Sequence, residues 1–316
     1  MRRRLRPWLV VYAKGVCMGA ADAVPGVSGG TIALIVGIYE RLIGAVTAIT
    51  PGRVRRVLAA VRPANRADAR DAVREMDGAF LLSLGSGIVT AVVVVTRALD
   101  VAIDAAPVLT FGAFFGLIAA SAVVLRHEVS LDTPGRVGAA VAGFTLAFVA
   151  SGRVAAALDS GLLVTALVGA VAISAMVLPG ISGSLILVVL GQYEFLVGRL
   201  RAFVDAAAAL ATGGSVRALL DPGTTVVAFV CGAVVGLFTV THAVRWALST
   251  YRRATLTFLV CLIVGALRAP VVKTGEKLAA AGRVWTVETI VAFALAALVG
   301  GALVALVERY TDGIDY

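Results

Sequence analysis

Two short stretches of this 316-residue chain combine helix-breaking residues, hydroxyls and a carboxylate. The first is Pro25-Gly26-Val27-Ser28-Gly29, seven residues, then Gly37-Ile38-Tyr39-Glu40; the second is Pro179-Gly180-Ile181-Ser182-Gly183, seven residues, then Gly191-Gln192-Tyr193-Glu194. The offset is 154 residues throughout, and Leu42 and Gly44 extend the match to Leu196 and Gly198. Proline removes a backbone donor and glycine loosens the chain, so Pro-Gly-x-Ser-Gly inside an apolar run is expected to end one helix and begin another. Each new helix presents free N–H groups and the positive end of its dipole, which together suit an anion. One such break is commonly a packing kink; two with identical spacing favour a binding site made from paired helix N-termini.

Magnitudes set what else that site needs. Moving a compact ion into a medium of low dielectric costs about 20 kcal/mol in the idealised limit, and a helix end returns roughly 0.3 to 2. Candidate substrate-binding residues are therefore Pro25, Gly26, Ser28, Gly29, Gly30 and Thr31 of the first copy, Pro179, Gly180, Ser182, Gly183 and Ser184 of the second, and a cation, Lys14 or Arg41. Neither cation has a basic counterpart in the second copy, where Val168 and Phe195 stand. Asp22, whose counterpart is Met176, is a candidate for gating or a structural partner for Lys14. Glu40 and Glu194, with Tyr39 and Tyr193 before them, are candidates for coupling or gating, because a carboxylate flanked by apolar helix costs at least about 2.5 kcal/mol at mid-bilayer. The alternative is that they snorkel at headgroup level, which a continuous helix of about eleven residues after Gly29, roughly 16 Å, would permit.

These motifs must sit in helices that lie in lipid. The chain is 60% hydrophobic and 15% charged, with a mean hydropathy of +0.97; soluble domains carry about 25% charge, so a water-soluble globule is excluded. Few aromatics and much Ala, Val, Leu and Gly suit packed helices better than a lipid-facing barrel. The expectation is an all-α integral membrane protein. Its apolar segments are Trp8 to Ala23, Gly29 to Ile49, Ala79 to Val95, Val108 to Leu125, Val137 to Ser151, Gly161 to Leu178, Ile181 to Val197, Thr224 to Val244, Thr255 to Leu267 and Val287 to Val307. Those ten fall into two sets of five, residues 1–158 and 159–316, and an odd number of crossings per set inverts the second copy. If each motif pair is a re-entrant hairpin, the inversion survives.

The formal net charge is +9, and 17 of the 28 basic residues fall in segments expected on the inner side, seven of them in the basic stretch 50–77. That balance favours a cytoplasmic N-terminus and contact with anionic lipids, with no nucleic acid as partner. Within the stretch, Val54, Val57, Leu58 and Val61 recur at helical spacing, the pattern of a short surface helix ended by Pro63. Arg2 to Ala23 resembles a cleavable leader, but the residues that follow it recur deep in the chain and are retained as working structure. Small residues at Gly15/Gly19, Gly112/Gly116 and Gly232/Gly236 predict close helix contacts. Cys17, Cys231 and Cys261 read as packing residues, and His127 and His242 stand far apart, so no metal site or cofactor is expected.

The run from Lys14-Gly15 through Gly19-Ala20-Ala21-Asp22-Ala23-Val24-Pro25-Gly26-Val27-Ser28-Gly29-Gly30-Thr31 to Gly37-Ile38-Tyr39-Glu40, with the second motif at Pro179 to Glu194, resembles the signature of the PopT-type polyprenyl-phosphate transporter family. The resemblance implies return of undecaprenyl phosphate, or a related lipid carrier, from the outer to the inner leaflet of the plasma membrane; coupling to H+ or Na+ is an expectation that rests on Glu40 and Glu194. Composition and spacing by themselves reach only an anion site in a repeat-built transporter. A transporter or channel for a small inorganic anion keeps the same site. A membrane lipid phosphatase would need a nucleophile with a base or a metal cluster; His127 falls in a predicted loop and His242 has no acidic partner nearby in sequence, so no enzyme is expected. A purely structural protein would not require the repeated carboxylate.

Overall fold

In a computed structural model of the chain, the described residues are 2–62, 65–151, 161–176, 182–210 and 212–311. Among them there are helices and turns and no strand. Among the described residues five helices are long and apolar enough to cross a membrane: Gly78–Ala105, Pro107–Glu128, Val216–Val244, Trp246–Ala280 and Val287–Arg309. A bent pair, Gly29–Ile35 with Tyr39–Thr47, would make a sixth. Pro134–Val149 and Leu162–Ile173 are apolar but shorter than the roughly 20 residues an upright crossing takes.

The backbone divides into two compact units, residues 1–21 with 29–92, and residues 22–28 with 93–316. The first unit contains most of α1 (Arg2–Ala23), then α2 (Gly29–Ile35), α3 (Tyr39–Thr47), α4 (Pro51–Leu58), α5 (Arg66–Glu75) and the start of α6 (Gly78–Ala105). Its core is Val11, Ala33, Ile38, Ala45, Phe80 and Leu84. Close approach explains the expected glycines. A methyl on Gly15 would run into the Leu84 carbonyl and one on Gly19 into Ile88, so α1 and α6 touch backbone to backbone. Such contact supplies dispersion where lipid gives helices no hydrophobic reason to associate. Ser83 ties the same pair by donating to the Trp8 carbonyl at 2.8 Å.

A short helix does form in the basic stretch: α4, begun by Pro51 and capped by the Thr50 hydroxyl, which accepts from the Arg53 amide at 3.4 Å. Leu58 and Val61 stand out from the unit, 69% and 89% exposed. Arg53 and Arg56 both reach Glu75 of α5, each at 2.7 Å, and these two guanidiniums hold the Glu75 carboxyl down at about 2. Pro63 lies outside the described residues.

The second unit is built from helix pairs with glycine at the seam. After the end of α6 it contains α7 (Pro107–Val124), α8 (Pro134–Val149), α9 (Leu162–Met176), α10 (Gly183–Val189), α11 (Tyr193–Leu210), α12 (Val216–Phe238), α13 (Val240–Ala266), α14 (Arg268–Ala280) and α15 (Val287–Thr311). Gly112 and Gly116 of α7 meet the backbone of Phe293 and Ala297 in α15; Gly232 and Gly236 of α12 meet that of Ala166 and Ala170 in α9. Gly169, which is Gly15 plus the repeat offset, meets the Phe229 carbonyl much as Gly15 meets that of Leu84.

Candidate functional site

The first Pro-Gly sequence ends α1 at Ala23, and α2 restarts at Gly29. Pro25 is buried, and Gly26 has φ +92, a backbone that L side chains rarely adopt; a Cβ there would also lie 3.0 Å from the Leu117 backbone. A helix broken in an apolar setting leaves carbonyls that must find donors. Two are met by side chains: the Tyr193 hydroxyl donates to the Ala23 oxygen at 2.7 Å, and the Ser121 hydroxyl donates to the Gly26 oxygen at 2.8 Å. Val24 and Val27 pack on Phe111, Phe114, Leu117 and Tyr193, with the Phe114 and Tyr193 rings edge to face at 6.0 Å.

A second break lies beyond the first, and it corrects the reading of Gly29 to Ile49 and Ile181 to Val197 as continuous segments. Both α2 and α10 are seven residues long and both stop at a glycine, Gly37 and Gly191, with φ +67 in each. The turn bonds correspond one for one. Gly37 and Gly191 donate to Leu34 and Val188 at 3.0 Å, and Ile38 and Gln192 donate to Ala33 and Leu187 at 2.9 Å. Between α2 and α3 the axis bends by 119°. Positive φ at these glycines reverses the chain after only about 10 Å of helix, so Glu40 and Glu194 are not eleven residues along a rod. They stand in the first turns of α3 and α11, where the helix dipole favours an anionic side chain.

The candidate residues fall into two groups. In the first unit, Gly29, Gly30 and Thr31 open α2. Lys14 donates to the Val36 carbonyl, which closes the end of α2. Arg41 pairs with Asp77 at 2.7 Å and lies over the Phe80 ring at 4.2 Å. Tyr39 and Glu40 are exposed, and Glu40 makes no ion pair among the described residues.

In the second unit are Asp22, Pro25, Gly26 and Ser28, together with Ser182, Gly183, Ser184, Tyr193 and Glu194. Ser182 occupies the N-cap place of α10 with extended backbone, yet its hydroxyl meets that of Ser184 at 2.7 Å and caps nothing. Both serines are buried. Pro179 and Gly180 lie outside the described residues.

Glu194 has partners that spacing alone did not reveal. Lys273 and Lys277, one turn apart on α14, approach its two oxygens at 3.7 and 3.9 Å. Oε1 is buried and has no hydrogen-bond partner. Lys273 also pairs with Glu276 at 3.0 Å, and Lys277 with Asp104 at 3.1 Å. The available signal was rarity: the chain has three lysines in all, Lys14, Lys273 and Lys277, and each reaches one of the two Gly-x-Tyr-Glu turns or its carboxylate.

The comparison with known proteins accords with these motifs. A family model described as undecaprenyl phosphate translocase-like matches residues 18–284, a stretch that includes both copies. A polyprenyl-phosphate transporter of Vibrio cholerae serotype O1 is 33% identical over 264 residues, covering 82% of this chain and 76% of that protein. No solved structure matches the chain.

Proposed function

The chain belongs to the undecaprenyl phosphate translocase-like family, and on that premise we propose that it carries a polyprenyl phosphate from the outer to the inner leaflet of the plasma membrane, with its N-terminus in the cytoplasm. The reading is carried by one observation: the family match spans both Pro-Gly-x-Ser-Gly motifs, and the short helices after them have the same length and the same closing turn. A family of translocases, and a relative named as a transporter, make this a carrier and not a phosphatase.

A prenyl tail can stay in lipid throughout, so only the phosphate needs a polar route past the bilayer centre. In this proposal each Pro-Gly-x-Ser-Gly motif offers backbone N–H groups and hydroxyls to the phosphate oxygens, Ser28 and Thr31 in the first copy and Ser182 and Ser184 in the second. Residues 1–158 and 159–316 act as two inverted repeats, each with a broken helix pair. The recurrence of the backbone contact at Gly15 and at Gly169 supports that division. Glu40 and Glu194 couple the movement to H+ or Na+, and the basic stretch 50–77 meets anionic lipid on the inner face.

The test is purified protein in vesicles containing labelled polyprenyl phosphate in one leaflet. Carrier exposure should equilibrate faster with protein than without it. Flux of inorganic phosphate with no movement of the lipid would replace this reading by one of a small-anion transporter.

A further inference from the structure

Lysine is rare in this chain, and two of its three lysines face the same carboxylate. Lys273 and Lys277 lie four residues apart, on one side of α14. Each is fixed by an outer acid, Glu276 at 3.0 Å and Asp104 at 3.1 Å. An ammonium has three donors, so both keep donors to spare, and these are turned toward Glu194. Yet Glu194 is a poor fit for them. Its oxygens stay 3.7 and 3.9 Å away, beyond the roughly 2.7–2.9 Å of a charge-assisted hydrogen bond. One of those oxygens is buried and unbonded.

We infer that Lys273 and Lys277 form a receptor for a phosphate monoester, and that the carboxylate of Glu194 is its internal substitute, holding the place the phosphate takes. The proposal rests on the transport reading and deepens it by assigning further headgroup-binding residues. A phosphate monoester suits the pair better than a carboxylate does. It carries about −1.5 to −2 charge and three acceptor oxygens, enough to bond both ammoniums directly and at once. Glu194 can leave, because its side chain is 31% exposed and stands at the start of α11 beside the Gly191 turn. Binding is then an exchange of anions in which the incoming phosphate displaces the resident carboxylate. Throughout that exchange Glu276 and Asp104 stay on the two lysines, and the site keeps an anion between the ammoniums.

The two sources of such a ligand, a lipid headgroup and free phosphate, are separated by the probe. Binding of farnesyl phosphate and of inorganic phosphate is measured on the full-length protein in detergent, for the native chain, Glu194→Gln, Lys273→Gln/Lys277→Gln, and the triple variant. Thermal unfolding is followed in each, and Lys273→Arg/Lys277→Arg serves as the variant that retains both charges. Glu194→Gln is expected to bind farnesyl phosphate about five-fold more tightly or better, and loss of both lysines to weaken it about ten-fold or more, with no gain from Glu194→Gln once the lysines are absent. The Arg pair should recover part of the binding. Farnesyl phosphate bound in preference to inorganic phosphate assigns the receptor to the lipid headgroup; equal responses assign it to phosphate itself. Unchanged or weaker binding in Glu194→Gln, or the same gain with and without the lysines, overturns the inference. If vesicles move the lipid while these binding results fail, the transport reading stands without this receptor. If binding behaves as expected and vesicles move nothing, the receptor stands and the transport reading falls.

Discussion

The hydroxyl of Tyr193 donates to the carbonyl oxygen of Ala23 at 2.7 Å. The tyrosine belongs to the second Gly-x-Tyr-Glu sequence and the carbonyl to the last residue of α1, two before Pro25, so a buried bond ties the second motif to the helix end that leads into the first. Ser121 supplies the other side-chain donor to the same break, at Gly26.

Replacing Tyr193 by Phe keeps the ring against Phe114 and removes only the donor, leaving the Ala23 oxygen unpaired. The expected loss is about 1–2 kcal/mol of stability. Tyr39, at 38% exposure, should lose under about 0.5 kcal/mol on the same change. Reversible unfolding in mixed micelles measures both, and equal losses would remove the special role of the Tyr193 hydroxyl.

Gly116→Ala places a methyl against the Ala297 backbone, whereas a methyl at Gly52 meets nothing within 4 Å. The first should cost about 1–3 kcal/mol by overpacking and the second far less. Yield of folded protein and melting temperature report the difference. A tolerated Gly116→Leu would mean that α7 and α15 do not touch as described.

The contact of α4 with α5 should loosen in acid. The Glu75 carboxyl is lowered from 4.5 to about 2 chiefly by its hydrogen bonds from Arg56 and Arg53. Because the folded value lies below the unfolded one, the stabilisation is complete above about pH 4.5 and is lost as pH falls through about 2. Spin labels on α4 and α5 should therefore separate over that window. In Glu75→Gln the distance should be wider at neutral pH and independent of acid.

The double substitution Glu40→Gln/Glu194→Gln should insert normally and lower lipid movement in vesicles about ten-fold or more, because the proposed transport is coupled through these two carboxylates. Glu194→Gln alone should account for most of it, because Glu194 faces two lysines and Glu40 none among the described residues. Full activity of the double variant would remove both carboxylates from the mechanism.

Local signals were readable in the sequence. Pro25 and Gly26 announced the end of α1, and the glycine pairs at 15/19, 112/116 and 232/236 marked helix seams, because proline, positive φ and missing side chains act through the chain's own geometry. The turns at Gly37 and Gly191 were not read, since a lone glycine in an apolar run gives no sign of the φ it will adopt. The partners of Glu194 were hidden for a different reason. Lys273 and Lys277 lie about eighty residues downstream, and only the packing of α14 brings them to the carboxylate.

The scarcity of lysine gives the protein a chemical handle. An amine-directed acylating reagent finds only three ε-amino groups along the chain, all of them beside the two reversing turns, whereas the twenty-five arginines do not react. Acylation rates at Lys14, Lys273 and Lys277, read by mass spectrometry with and without lipid, therefore follow the working parts of the molecule with almost no background from the rest.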